Sequence, residues 1–159
     1  MASLADIEKL NAASELVSAG LRLSIIVALT GMTVVPLRRL WKETHGKSPP
    51  NGKLPESVLS FITTQQSAAQ ISAFVGMYHK LNPLQQSISS SALLNTWRTY
   101  ERMCAPLDIN AAYYAVRDVR AGLVSFFKCR CCGAHYIYDT ASTLTSRCQF
   151  CGNAPTKDK

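Results

Sequence analysis

The sequence predicts a mainly α protein: a multi-helix domain with a helix-turn-helix-like N-terminal part, then a C-terminal four-cysteine, zinc-ribbon-like module. Three observations carry this. Apolar residues recur at helical spacing through most of the first 127 residues. Strand character is confined to HYIYD (135–139) and the stretch around Thr143 to Arg147. Five of the six cysteines crowd into residues 129–151.

From Ser3 to about Leu29 the residues Leu4, Ile7, Leu10, Leu16, Leu23 and Ile26 keep helical spacing, which predicts one long helix. Ser3 with Asp6 has the pattern of a capping box at its start. Thr30-Gly31-Met32 interrupts the pattern, and a shorter helix is expected from Thr33 to about Thr44. Pro36 falls in its first turn, where the missing N–H has no helical partner to lose. HGKSPPNGKLP (45–55) is a loop by its Gly, Pro and Asn content. Further helices are expected over about 57–81, 88–104 and 110–127. The last places Tyr113, Val116, Val119, Leu123 and Phe127 on one stripe and runs directly into Cys129.

The length of 159 residues fits one domain, or one with a small appendage, and 47% hydrophobic content supports a real core. The division read from composition is 1–127 for the helical part and 128–159 for the cysteine module. The apolar stretch 21–40 contains Arg22 and ends at Pro36 and Arg38, too short a run to span a bilayer. The start carries Asp6 and Glu8 and no basic n-region, so it does not read as a signal peptide. A cytoplasmic chain is expected, and there clustered cysteines bind metal more often than they pair.

Two units share one frame, Cys129-Arg130-Cys131-Cys132-Gly133 and Cys148-Gln149-Phe150-Cys151-Gly152, each with the form C-x-x-C-G. Two thiolates three positions apart on a tight turn reach one metal, and the glycine supplies the positive φ that turn needs. The 15 residues between the units suit paired knuckles around one ion. This selects Cys129, Cys132, Cys148 and Cys151, leaving Cys131 over. The pattern favours one structural Zn2+ per chain over an iron–sulfur cluster or disulfides. Four cysteine ligands close the coordination sphere, which argues against a catalytic metal. His135 reads as packing or solvated, and Cys104 as a core filler.

Seventeen Lys and Arg against ten Asp and Glu give a net charge of +7, which suits an anionic partner such as nucleic acid. Residues 25–43 read as two helices about a turn at Gly31, with Ile26 and Val27 on the first and Leu37 and Leu40 inside the second. The second helix offers Arg38, Arg39 and Lys42, and Lys47 and Lys53 extend the basic run, a set suited to DNA contact. Its apolar beginning, Val34-Val35-Pro36, suits a protein partner instead. Arg130 and Arg147 sit beside knuckle cysteines; they either face phosphates or offset the charge of a metal–thiolate centre. No Ser-His-Asp set, paired carboxylates or Gly-rich phosphate loop is present, so neither an enzyme nor a small-molecule substrate is expected.

LRRLWKETHGKSPPNGKLP (37–55), VRDVRAGLVSFFKCRCCGAHY (116–136) and RCQFCG together resemble the FlhC family, zinc-containing subunits of the bacterial flagellar master regulator. The resemblance covers nearly the whole chain, and the SPPxGxLP loop and the CxCCG knuckle are its most specific parts. It implies a DNA-binding transcriptional activator acting with an FlhD-type partner, in an assembly of two FlhC and four FlhD subunits. Such a complex binds upstream of flagellar promoters and recruits RNA polymerase. The resemblance carries the family's four zinc cysteines onto Cys129, Cys132, Cys148 and Cys151. The alternative is a zinc-ribbon adaptor that binds only proteins.

Overall fold

The computed structural model describes residues 1–84 and 86–155; Gln85 and residues 156–159, the end of the cysteine module, lie outside the described residues. The chain is mainly helical, as its periodicity predicts. In order come α1 (Leu4–Ala19), α2 (Leu23–Thr30), α3 (Val34–His45), a 3-10 turn (Val58–Phe61), α4 (Gln65–Leu81), α5 (Ser90–Met103) and α6 (Ile109–Arg120). Strands β1 (Ser125–Lys128) and β2 (His135–Tyr138) follow. No described helix is long and apolar enough to cross a membrane.

The fold groups into two compact units: Met1–Leu54 with Gln86–Asn95, and Pro55–Gln85 with Thr96–Lys159. In the first unit α1, α2 and α3 pack on one another. The expected capping box opens α1: Ser3 Oγ accepts from the Asp6 N–H at 3.2 Å, and the Ser3 N–H donates to Asp6 Oδ2 at 3.0 Å. The long helix expected from 3 to 29 is in fact two. Gly20 takes φ +85°, its N–H donates to the Val17 carbonyl, and the Leu21 N–H reaches back to Leu16 at 3.1 Å. This pair of bonds ends α1, and Leu21 turns fully inward. The apolar spacing continues across the break, which is why periodicity alone runs through it.

Thr33 is the N-cap of helix α3, as expected, with Pro36 in its first turn. Its inner face is Leu37 and Trp41, both buried, rather than Leu37 and Leu40; Leu40 is half-buried. The His45 ring donates from Nε2 to the Val17 carbonyl at 2.7 Å, tying the end of α3 to the end of α1.

In the second unit, the helix expected over 57–81 starts later. A 3-10 turn comes first, and Thr64 with Ser67 then forms a capping box for α4. Helix α4 packs against α6 and β2. The helix expected to reach Phe127 stops at Arg120; Leu123 and Phe127, placed on its buried stripe by spacing, are 59% and 40% exposed. The chain re-emerges as β1, paired antiparallel with β2 in the register Phe126 to Ile137 and Lys128 to His135. Residues 143–147 form turns rather than a strand. Buried Asp118 on α6 accepts from the Val58 N–H at 2.6 Å and pairs with Arg117 at 2.6 Å. Arg117 also donates to the Glu56 carbonyl and lies 4.3 Å over the Tyr114 ring, so one ion pair fastens the 56–58 stretch to α6.

Candidate metal centre

The first C-x-x-C-G unit is the connection of the β1–β2 hairpin. After the Lys128–His135 pair, the Cys129 N–H donates to the Ala134 carbonyl at 2.8 Å, and the Gly133 N–H returns to Cys129 at 2.9 Å. The second unit repeats this frame. There the Cys148 N–H donates to Asn153 at 2.9 Å and the Gly152 N–H to Cys148 at 2.9 Å. Gly133 and Gly152 have φ +75° and +76°, and a Cβ on either would meet nothing within 4 Å. Glycine is therefore demanded by backbone conformation, not by space.

These two matching turns bring together the sulfurs of Cys129, Cys132, Cys148 and Cys151, all within 4.8 Å of one another. Cys129 Sγ lies 3.5 Å from Cys151 Sγ, and Cys132 Sγ 3.7 Å from Cys148 Sγ. Thiolates about 2.3 Å from a tetrahedral metal stand about 3.8 Å apart, so the spacing fits an ion at the centre and is far too long for disulfides, about 2.0 Å. Cys131 is exposed and outside the cluster, and Cys104, expected in the core, is exposed at the end of α5.

The surroundings act on two of the sulfurs in opposite directions. The backbone N–H and side-chain amide of Asn153 hold the Cys151 thiol down, to about 6, with Nδ2 at 3.3 Å from the sulfur. Burial pushes the Cys148 thiol up, to about 12, against the N–H groups of Cys151 and Phe150 that favour its anion. A buried sulfur among three others carries negative charge comfortably only beside a cation. The donor set is thus four soft sulfurs in a closed tetrahedron, suited to zinc and offering no open position for catalysis.

Three polar residues that spacing does not reveal dock this cluster. Gln149, inside the second knuckle, is buried; its Nε2 donates to the carbonyls of Ile137 at 2.9 Å and Arg147 at 3.1 Å. Ser72 on α4 is fully buried and accepts from the Ile137 N–H at 2.9 Å. Gln65, also on α4, donates to the Gln149 carbonyl at 3.2 Å. The cysteine cluster is therefore keyed to α4 through side chains far apart in sequence.

Over residues 2–159 the sequence matches the family of flagellar transcriptional activators named FlhC. The chain belongs to the FlhC family. The flagellar transcriptional regulator FlhC of Pectobacterium carotovorum is 33% identical over 132 residues, covering 79% of this chain and 68% of that protein. Its counterpart in Enterobacter cloacae is 31% identical over 144 residues, with 86% and 75% covered. That of Cupriavidus necator is 31% identical over 140 residues, with 84% and 68% covered. FlhC proteins are transcriptional regulators, and this one carries its four clustered cysteines near the end of the matched stretch.

The basic residues singled out in this FlhC chain fall into two groups. Arg38, Arg39 and Lys42 are exposed on α3, and Lys47 and Lys53 are exposed in the loop after it, all in the first unit. Arg130 and Arg147 are exposed on the two knuckles of the second unit. Arg130 lines a groove of about 600 Å3 beside the cysteines, with Phe127, Lys128, Tyr136 and Asn153. Lys128 is a further cation there, and its place directly before Cys129 is the one signal of it in the sequence.

Proposed function

We propose that this chain is the zinc-stabilised, DNA-contacting subunit of a cytoplasmic transcription activator that works in a hetero-oligomer with an FlhD-type subunit at flagellar promoters. Membership of the FlhC family supports the activator role, and the four-sulfur cluster supports one structural zinc per chain. In this reading residues 1–127 carry partner binding and the α2–α3 turn, and residues 128–159 form the metal module. Zinc, held by Cys129, Cys132, Cys148 and Cys151, supplies folding energy on the order of 10 kcal/mol to a segment with little apolar core of its own. The net negative charge of the metal–thiolate centre is then partly balanced by Arg130 and Arg147.

The single observation that carries DNA contact is the outward face of α3. Arg38, Arg39 and Lys42 all project to solvent while Leu37 and Trp41 anchor the helix beneath them. Cations displayed on a helix held by its opposite face can reach phosphates without disturbing the core. Val34 and Val35, 37% and 67% exposed at the start of the same helix, make base reading there poor and apolar contact good. Phosphate contact is therefore assigned to the middle of α3.

Footprinting of the complex with its FlhD-type subunit on promoter DNA tests this. Protection should weaken steeply with salt, and replacing Arg38 and Arg39 together by Ala should reduce the logarithmic salt slope by about two. No protection at any salt would leave a zinc-ribbon adaptor that binds only proteins. Loss of assembly with retained DNA affinity would move Arg38 and Arg39 to a subunit interface.

A further inference from the structure

The cysteine module holds five sulfurs where a tetrahedral metal needs four, and the surplus one is not remote. Cys131 lies inside the first knuckle, two residues after Cys129 and directly before Cys132. Its turn is closed by the bond from the Gly133 N–H to the Cys129 carbonyl, so the backbone that presents two ligands also places Cys131. The groove beside the cluster is lined by Cys131 from the first knuckle and by Asn153, two residues past Cys151, from the second. Asn153 Nδ2 is itself 3.3 Å from the Cys151 sulfur. Cys131 therefore stands at the Cys151 side of the cluster. The two thiols share a hydrogen bond, and of the four cluster sulfurs Cys151 acts on Cys131 most strongly. Charge on Cys151 is the first cause, ahead of burial, that raises the Cys131 thiol above its ordinary value.

The four clustered sulfurs are not equally protected. Cys129 and Cys148 are 7% and 0% exposed, and each opens its turn with its own N–H bonded to a backbone carbonyl. Cys132 and Cys151 are exposed. An exposed sulfur is the one that solvent and competing chelators reach first. Cys151 thus forms an open edge of the cluster, and a chemically identical soft donor lies beside it.

We propose that Cys131 is a reserve metal ligand, able to take the place of Cys151 in the four-sulfur set. This rests on the reading of the four cysteines as a zinc site and adds a fifth residue to it. One thiol proton moves from Cys131 to Cys151 in the exchange, so the number of bound sulfurs and the charge of the centre are conserved. The contact with Cys151 singles out that position as the one covered; buried Cys148 has no such stand-in.

Metal content of the purified full chain, with the sulfur-to-metal charge-transfer spectrum of its cobalt(II) form, tests the role. Cys151→Ser should keep about one metal per chain and the spectrum of four thiolates. Adding Cys131→Ser to it should remove the fourth thiolate and most of the metal. Cys131→Ser alone should leave both readouts at the parent level, and Cys148→Ser should empty the site although Cys131 is present. A Cys151→Ser chain that binds no metal, or binds it through three thiolates, overturns the reserve role and leaves the four-ligand assignment standing. A double variant indistinguishable from Cys151→Ser overturns it as well. A parent chain that takes up no metal would instead overturn the zinc reading on which the proposal rests.

Discussion

The Ser72 hydroxyl donates to Oε1 of Gln149 at 2.8 Å, joining the middle of α4 to the inside of the second cysteine knuckle. The same hydroxyl accepts from the Ile137 N–H, so a single side chain satisfies a strand and a knuckle together. Ser72→Ala should therefore cost about 1–3 kcal/mol, because it leaves a buried N–H and a buried amide oxygen without partners. Denaturant unfolding of the zinc-loaded chain measures this. Gln149→Ala should cost a similar amount, and the double variant less than the sum. Additive losses would show that the two residues act independently.

Cys132→Ala or Cys148→Ala should release the metal and unfold the 129–152 segment, whereas Cys131→Ala should keep about one zinc per chain. Metal content by atomic absorption decides it. An empty site in the Cys131 variant would overturn the ligand assignment.

Gly20→Ala should destabilise the protein by about 1 kcal/mol through the left-handed backbone alone, since its Cβ would meet no neighbour. The change should appear as a shifted urea midpoint with an unaltered slope. A variant as stable as the parent would mean that α1 and α2 tolerate another turn geometry.

Burial, then the nearby positive charges of Arg120 and His135, hold the His79 ring below its ordinary 6.5. The ring lies edge-on to Phe126, which stacks in turn on His135. With the folded value depressed, the unfolded chain takes up the proton first. The contribution of neutral His79 is thus complete above about pH 6.5 and declines as pH falls from there toward the folded value. Melting temperatures of the parent and of His79→Gln, compared between about pH 7.5 and 6, should converge on acidification. Parallel curves would rule out this linkage, and the shared cysteine cluster cancels in the difference.

Local chemistry was legible in the sequence and long-range chemistry was not. The capping box at Ser3, the loop at 45–55 and the start of α3 follow from neighbours within a few residues. The cysteine frame, repeated with its glycines, picked out the four sulfurs that the fold brings together. The break at Gly20 was hidden because Leu16 and Leu23 fit one helix or two equally well. Strand β1 was hidden because Ser125-Phe126-Phe127-Lys128 becomes a strand through pairing with 135–138, a partner that local periodicity does not contain. Ser72 and Gln149 look like ordinary polar residues until a separation of 77 positions is closed by the fold.

The two knuckles shape their turns through backbone bonds that do not involve the ion, from Cys129 to Ala134 and from Cys148 to Asn153. An ion bound between them would hold one turn against the other, with little freedom to choose another shape. An ion content with a tetrahedron of sulfur, zinc or cobalt, enters without rearranging the turns. Copper(II) or nickel(II) in a square-planar preference would have to pull both turns out of register. Selectivity for a metal bound here would thus be a mechanical property of two small turns, set by the backbone together with the softness of sulfur.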